Sequence, residues 1–403
     1  MITRYDASQA LPFLAWRPPS ATAFDQHGRY RTINHETRLA SLPGTSIEWL
    51  ACAFISHRAA DNVSQLTLLR MTPPTGVFYL KNRHDSGTEL ALFGEVSYAL
   101  TQKVTVTGGM RLYHGVLDAA ANNSELIDIG PLDAVGVNSR TGVTPRASIA
   151  YRANPSHLFY ARVAQGFRLG GINIDSRVVA PGRNSRLTVS NFASDSLWNF
   201  ELGSKSTFLN QSLSISTSAF YSVWSNTQAD LARLNGLSFT ANLGDVLTPG
   251  FEIETLYVPN EHVHLIANFA WSRLELIEIN VLATIISANR LPVLSKLALT
   301  LAGQYEHPIS ANLTGFANVK ADFVGSARLT NNTGPDAVVH DYQAVNMRFG
   351  VQQGGTRVAL YINNVLDNRA NTHAFGNPFS LGRVSQVTPL RPRTFGISVN
   401  WVN

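Results

Sequence analysis

Residues Ser212-Leu213-Ser214-Ile215-Ser216-Thr217-Ser218-Ala219-Phe220-Tyr221-Ser222-Val223-Trp224 decide the fold class. Ser212, Ser214, Ser216, Ser218 and Ser222 fall on one side of an extended chain. Leu213, Ile215, Ala219, Tyr221 and Val223 fall on the other. Successive side chains of a strand point to opposite faces, so this period of two reads as a β-strand with one polar and one apolar face. Outward from it the pattern recurs. Val104, Val106, Met110 and Leu112 alternate with Thr105, Thr107, Arg111 and Tyr113. Leu313, Ala317, Val319, Ala321 and Phe323 alternate with Asn312, Thr314, Asn318, Lys320 and Asp322. At the far end Phe395, Ile397, Val399 and Trp401 alternate with Thr394, Gly396, Ser398 and Asn400. No apolar stripe of helical period and length competes with these segments, and the chain reads as all-β.

The connections alternate as well. Short turns are expected at Leu42–Thr45, Thr101–Gln102, Ala153–Ser156, Asn210–Gln211, Pro259–Glu261, His307–Ser310 and Gln353–Gly355. Long polar stretches separate them, at roughly 59–87, 114–141, 168–196, 227–247, 276–295, 326–340 and 367–390. Short turns at one end and long loops at the other are the layout of an antiparallel up-and-down transmembrane β-barrel, whereas a soluble sandwich turns every 8–12 residues or so. Strands of about ten residues suit a tilted membrane crossing. The count is about fourteen strands in hairpins and one C-terminal strand, and Ile2–Tyr5 would make about sixteen.

Composition fits two-faced strands. Of 403 residues, 15% are charged and 44% hydrophobic, with a mean hydropathy of −0.02, against about 25% charged residues in an ordinary soluble domain. The polar faces carry Ser, Thr, Asn and Gln with scattered Arg, suited to a hydrated lumen, while the apolar faces could meet lipid. Tyr98, Tyr113, Tyr221, Trp224, Trp271, Tyr305 and Trp401 are expected near strand ends as an aromatic girdle; the bland alternative is that they close a soluble core. Ile279–Asn289 lacks charge but is far shorter than the ~20 apolar residues of a spanning helix. One cysteine, Cys52, excludes a disulfide framework. Near the N-terminus, Ala10–Trp16 has neither a basic lead nor a small-residue cleavage site, so no secretory signal peptide is read there.

Six stretches then resemble the C-terminal barrel of TonB-dependent outer-membrane receptors. They are Leu92-Phe93-Gly94-Glu95-Val96-Ser97-Tyr98, Gln165-Gly166-Phe167-Arg168-Leu169-Gly170-Gly171, Leu197-Trp198-Asn199-Phe200-Glu201-Leu202-Gly203-Ser204-Lys205, Gly244-Asp245 with Gly250-Phe251-Glu252-Ile253-Glu254, Leu360-Tyr361-Ile362-Asn363-Asn364-Val365-Leu366-Asp367-Asn368, and Arg391-Pro392-Arg393-Thr394-Phe395-Gly396-Ile397-Ser398. They occur in family order over nearly the whole chain. The resemblance implies a barrel in the outer membrane of a Gram-negative bacterium, importing a scarce ligand such as a ferric siderophore. It also implies outer-membrane lipid and the barrel-assembly machinery as partners, the latter reading a terminal strand that here carries Phe395, Ile397, Val399 and Trp401. The family has a plug domain, a TonB-recruiting box and about 22 strands. Neither plug nor box is read here, so residues 1–403 are expected to form one partial barrel domain, coupled to TonB only if a plug comes from elsewhere. The family usually ends on an aromatic residue; here Trp401 lies two positions before Asn403.

Candidate ligand contacts in the loops are Phe192, Phe375, Phe379, Arg177, Arg183, Arg369 and Arg383, suited to an anionic or aromatic ligand, although such loops also simply shield a barrel mouth. His262 and His264, two apart, would share a strand face as a metal pair requires, but no Cys or Glu stands at ligand spacing beside them. Gly170-Gly171 and Gly354-Gly355 read as turn glycines. No nucleophile elbow and no His-Glu-x-x-His is present, so neither enzyme activity, metal nor cofactor is expected. The excess of Lys and Arg, a net +5, is spread along the chain instead of gathered in a nucleic-acid patch. Two alternatives remain open on these grounds: an unplugged pore-forming or remnant barrel without TonB coupling, and a soluble β-rich binding protein.

Overall fold

The computed structural model describes residues 2–6, 21–68, 77–125, 132–173, 177–179, 186–188, 190–232, 238–279, 295–328, 338–376 and 385–401. Within them the wall consists of β1 (Ile2–Asp6), β2 (Ala21–Ala40), β3 (Ile47–Leu68), β4 (Val77–Ala99), β5 (Val104–Glu125), β6 (Leu132–Asn154), β7 (His157–Arg168), β8 (Asp195–Phe208), β9 (Leu213–Ser225), β10 (Gly244–Asn260), β11 (Val263–Ser272), β12 (Glu275–Ile279), β13 (Leu297–Ser310), β14 (Leu313–Val324), β15 (Tyr342–Gln353), β16 (Thr356–Asn363) and β17 (Thr394–Trp401). Each pairs antiparallel with its chain neighbour in one sheet. Pro249 lacks an N–H, and opposite it β11 leaves the ladder after Ser272, to rejoin β10 as β12 through Glu275–Ile279. Those two segments are one interrupted strand, so the seventeen segments make sixteen strands, as expected. Among the described residues β1 pairs with β2 and β17 with β16 alone.

The cross-strand register explains where the apolar faces lie. Rows on the outer face run Ile47–Tyr98–Val106–Ile149, then Trp49–Val96–Gly108–Ala147, Ala51–Gly94–Met110–Pro145 and Ala53–Leu92–Leu112–Val143. The next row mixes Ile55 and Leu90 with His114 and Thr141. Above it come His57–Thr88–Val116–Ser139, Ala59–Ser86–Asp118–Val137 and Asp61–His84–Ala120–Val135. The apolar band therefore spans Ile47 to Ile55 on β3, which at ~3.3 Å per residue and a tilt of about 40° stands ~23 Å tall. Its side chains are widely exposed, Leu92 at 62%.

Three expectations need correction here. Strands β3 to β6 are 22 or 23 residues long, not about ten, and much of 59–87 and 114–141 is paired strand instead of loop. The ladder continues because backbone pairing does not depend on an apolar face, and small inner residues Ala119, Ala121 and Ala134 pack against Ile172. The turn expected at His307–Ser310 lies at 311–312; Pro308 stays in β13 at a register shift between Pro308 and Ser310, which accommodates its missing donor. Of the aromatic girdle, Tyr98, Tyr221, Trp271, Tyr305 and Trp401 are exposed on the outer face, but Tyr113 is buried and Trp224 faces inward. Strand parity puts Tyr113 with Arg111 and Trp224 with Ser222, on the polar side.

Candidate functional site

The lumenal face is built from cross-strand acid–base pairs. Arg111 donates to Glu89 at 2.7 Å and lies over the Phe54 and Phe93 rings. Arg146 pairs with Glu95 at 2.9 Å. Glu201 accepts from both Arg162 at 2.6 Å and Tyr160 at 2.8 Å. Asp322 accepts from Thr300 and pairs with Lys320 at 2.9 Å, and Arg357 reaches Glu306 at 3.3 Å while stacking on Phe316. Of these, Arg162–Glu201 and Thr300–Asp322 are directly opposed on neighbouring strands, the unit of sheet stabilisation; Lys320–Asp322 lies along β14, Arg111–Glu89 is a diagonal between β5 and β4, and Arg146–Glu95 and Arg357–Glu306 reach over intervening strands.

Inward aromatic rings are accommodated by glycines. Tyr113, Tyr160, Phe220, Phe316 and Tyr361 are register partners of Gly142, Gly203, Gly250, Gly350 and Gly396. A Cβ at any of these glycines would collide with the opposing ring.

The described parts of the long loops after β7 and β9 form a cap over the β5–β8 part of the wall. Pro145 cannot donate towards β7, and the β6–β7 ladder begins only at Arg146. Beyond that point β7 leans over the inner face: Phe167 stacks on Tyr113, Leu169 approaches Gly115 and Ile172 approaches Gly136. The cap is anchored by Asp195, whose side chain is 1% exposed. It pairs with Arg168 and accepts the backbone N–H of Gln228 at 3.1 Å. Amides knit the two loops together. Asn173 donates to the Thr240 carbonyl and accepts its N–H; Asn242 spans Ala193 and Asn226; Gln228 donates to the Leu169 and Ala193 carbonyls. Beneath them Ala241, Leu243 and Val246 are almost completely buried.

A second junction ties down the last strand. Asn364, at φ 51°, is buried, and its side chain donates to the Asn368 and Arg391 carbonyls while accepting the Asn368 N–H. Asp367 accepts the Arg393 N–H at 3.0 Å, and that bond, helped by the charges of Arg369 and Arg393, holds its carboxyl below the usual carboxylate range.

The expected site residues are thus dispersed. Arg369 is exposed and pairs with Asp367 at 3.5 Å. Phe192 packs on Gly171 inside the cap. Arg183, Phe379 and Arg383 lie outside the described residues, as do the side chains of Arg177 and Phe375. Phe395, Ile397, Val399 and Trp401 share the outer face of β17, each more than 60% exposed. His262 and His264 do not meet: His262 sits in the turn beside Tyr305 and His307, whereas His264 enters the ladder opposite Gln304 on the inner face. No cluster of three or more His, Cys, Asp or Glu suited to a metal occurs among the described residues. Gly170 and Gly171 are not turn glycines but points of close approach to the 192–194 backbone and the Phe192 ring; Gly354, at φ 55°, is one. Sequence reasoning missed the Arg168–Asp195 anchor although Arg168 lies within one of the quoted stretches and Asp195 stands two residues before another.

A family model described as the β-barrel of TonB-dependent receptor-like proteins matches residues 4–365. The chain belongs to the TonB-dependent receptor family. Its solved relatives include the ferric yersiniabactin uptake receptor FyuA from Yersinia pestis, at a TM-score of 0.78 and 17% identity over 95% of this chain and 56% of that one. The ferric-catecholate import receptor Fiu from E. coli K12 superposes at 0.67 with 15% identity, covering 95% and 55%. The ferric citrate transporter FecA gives 0.67 and 16% over the same shares. At these identities the likeness is one of fold, and the chain spans just over half the length of the receptors it matches. Family and solved relatives are receptors and transporters, not enzymes.

Proposed function

We propose that residues 1–403 form the outer-membrane wall of a TonB-dependent importer whose capped outer rim receives a scarce ligand, a ferric siderophore. The observation that carries the reading is the apolar outer band: ~23 Å of widely exposed Leu, Val, Ile and aromatic side chains fits the ~25 Å lipid-facing band of an outer-membrane barrel and would be costly in water. The ligand class is supported by two receptors of the same fold, named for ferric yersiniabactin and ferric catecholates. In this reading the barrel supplies the lipid-facing wall, a hydrated lumen lined by paired charges and the cap that meets the ligand. TonB acts through a plug that this segment does not itself contribute. Lipid contacts the outer band, and the barrel-assembly machinery reads the Phe395, Ile397, Val399 and Trp401 face.

The test is uptake of radioactive iron by cells lacking their own receptors and expressing the chain in its full-length context, with hydroxamate and catecholate chelates offered separately. Energy-dependent uptake of one chelate is expected, together with heat-modifiable migration in the outer-membrane fraction. A correctly inserted protein that moves neither chelate would overturn the siderophore assignment.

A further inference from the structure

Just above the apolar band, the outer face of β2 to β5 gathers cations. Register places His35 beside Ile55, in the row that also holds Leu90 and His114, and Ile33 beside His57 in the next. Arg31 and Arg29 follow, opposite Ala59 and Asp61. Three of the histidines are each tied by one ring nitrogen to a threonine hydroxyl: His35 to Thr37 at 3.1 Å, His57 to Thr88 at 3.0 Å and His114 to Thr141 at 2.8 Å. All three are exposed, and the second nitrogen of each ring has no hydrogen-bond partner among the described residues. Arg29 and Arg31 are exposed as well and form no ion pair among the described residues. The carboxylates on this face are Asp61, bonded to His84 at 2.7 Å, and, further round the wall, Asp118 on β5 and Asp133 on β6. Glu36, Asp85 and Glu89 have the other parity and face the lumen. Directly beneath the cations lies an apolar groove of about 490 Å³ in the same outer face. Ala51, Ala53 and Gly94 form its floor, and Leu39, Leu92, Met110 and Leu112 rise around it. Thr37, the partner of His35, sits at its upper lip.

We propose that this part of the outer face is a binding site for a phosphate-bearing lipid, its acyl chain lying in the groove and its phosphate held by Arg29, Arg31 and the three threonine-bound histidines. Arginine presents a planar fork that matches phosphate oxygens with paired hydrogen bonds. A histidine that takes up a proton donates from both ring nitrogens, here one to its threonine and one outward. The set therefore gains positive charge as the pH falls through the range in which histidines titrate, about pH 5–8. The site rests on the reading that the apolar band meets lipid, and it involves neither the lumen nor the cap.

The chain in its full-length context is reconstituted into phosphatidylcholine bilayers, with folding checked by heat-modifiable migration. Spin-labelled phosphatidylglycerol and spin-labelled phosphatidylcholine are then compared by electron paramagnetic resonance for the fraction held at the protein surface. A preference for phosphatidylglycerol is expected, larger at about pH 5.5 than at about pH 7.5 because histidines gain charge between the two. Arg29→Gln combined with Arg31→Gln should lower the preference roughly fivefold or more. His35→Gln, His57→Gln and His114→Gln together should remove its pH dependence. Arg146→Gln, on the inner face, should leave both unchanged. Inorganic phosphate at the concentration of the labelled lipid should not displace it, since the free anion has no chain for the groove. An inserted protein without the preference, an unaltered preference in the double arginine variant, a pH dependence that survives the triple histidine variant, or displacement by free phosphate overturns the proposal. Should a variant not fold, the comparison of the two lipids at the two pH values on the unaltered protein decides. A chain that does not enter the bilayer at all overturns the reading of the band as lipid-facing, whereas an inserted chain without lipid preference overturns the site alone.

Discussion

Tyr113 and Phe167 stack with ring centroids 3.5 Å apart and planes within 10°, although they belong to strands separated by β6. The contact exists because Gly142, opposite Tyr113, lets the tyrosine ring lie against the wall. Such a pair is worth about 0.5–1.5 kcal/mol beyond its buried area. Gly142→Ala should push the ring off the wall and destabilise the barrel by about 1–3 kcal/mol, the usual cost of overpacking. Combining it with Tyr113→Ala should recover part of that loss. A double-mutant cycle on urea midpoints in detergent measures this, and strict additivity would contradict the geometry.

The outer-face rows make a depth-dependent prediction. Met110→Arg falls in the middle row of the apolar band and should cost about 2–4 kcal/mol, whereas Val135→Arg, three rows above the band's upper edge, should cost about 0–1 kcal/mol. Reversible unfolding from lipid vesicles distinguishes the two. Equal costs would mean that lipid does not follow the band.

Asp195 holds both cap loops, so its removal should loosen the cap and leave the wall standing. Asp195→Ala is expected to lose about 1.5–3 kcal/mol of local stability, the range for hydrogen bonds to a charged group. Limited proteolysis should then cut within residues 174–194 and 233–237, with heat-modifiable migration retained.

The Asp367 carboxyl is held below its ordinary value by the Arg393 N–H, so its contribution is present above the ordinary value of 3.8 and is lost as pH falls through the lower folded value. Attachment of β17 should therefore be insensitive to pH from neutrality down to about pH 4 and loosen only in stronger acid. Hydrogen exchange at the Arg393 and Thr394 amides reads this directly, and Asp367→Asn should flatten the acid limb.

If the outer face of β17 is the assembly signal, Trp401→Ser should lower the folded fraction in cells severalfold. Refolding of the same variant from urea into detergent should be nearly unaffected. A matched loss in both would assign Trp401 to stability alone.

The regular wall was legible wherever the outer face stays apolar. The Ser212–Trp224 strand and the Phe395–Trp401 face stand where the period of two puts them, because burial in lipid and hydration in the lumen impose opposite chemistries on alternate residues. Above the band that contrast fades: Asp61, His84 and Asp118 face outward as polar residues, so the same ladder reads as loop. Ring position was misjudged for Tyr113 and Trp224 because closeness to a strand end says nothing about face, whereas parity does. The cap was illegible for a different reason. Its bonds join single Asn, Gln and Asp side chains to backbone groups far off in sequence, and no local spacing encodes such a contact.

Pairing between chain neighbours throughout the wall has a kinetic meaning. Each strand can dock as soon as its predecessor is in place, so the sheet has little loop-closure entropy to overcome at any one step. The Asn173–Thr240 bonds, spanning 67 residues, cannot form until β7 to β9 and the loop that follows β9 have all been laid down. Closing the cap therefore waits on the loop after β9, and a chain stalled at the end of β9 would carry its first nine strands with an unlatched mouth.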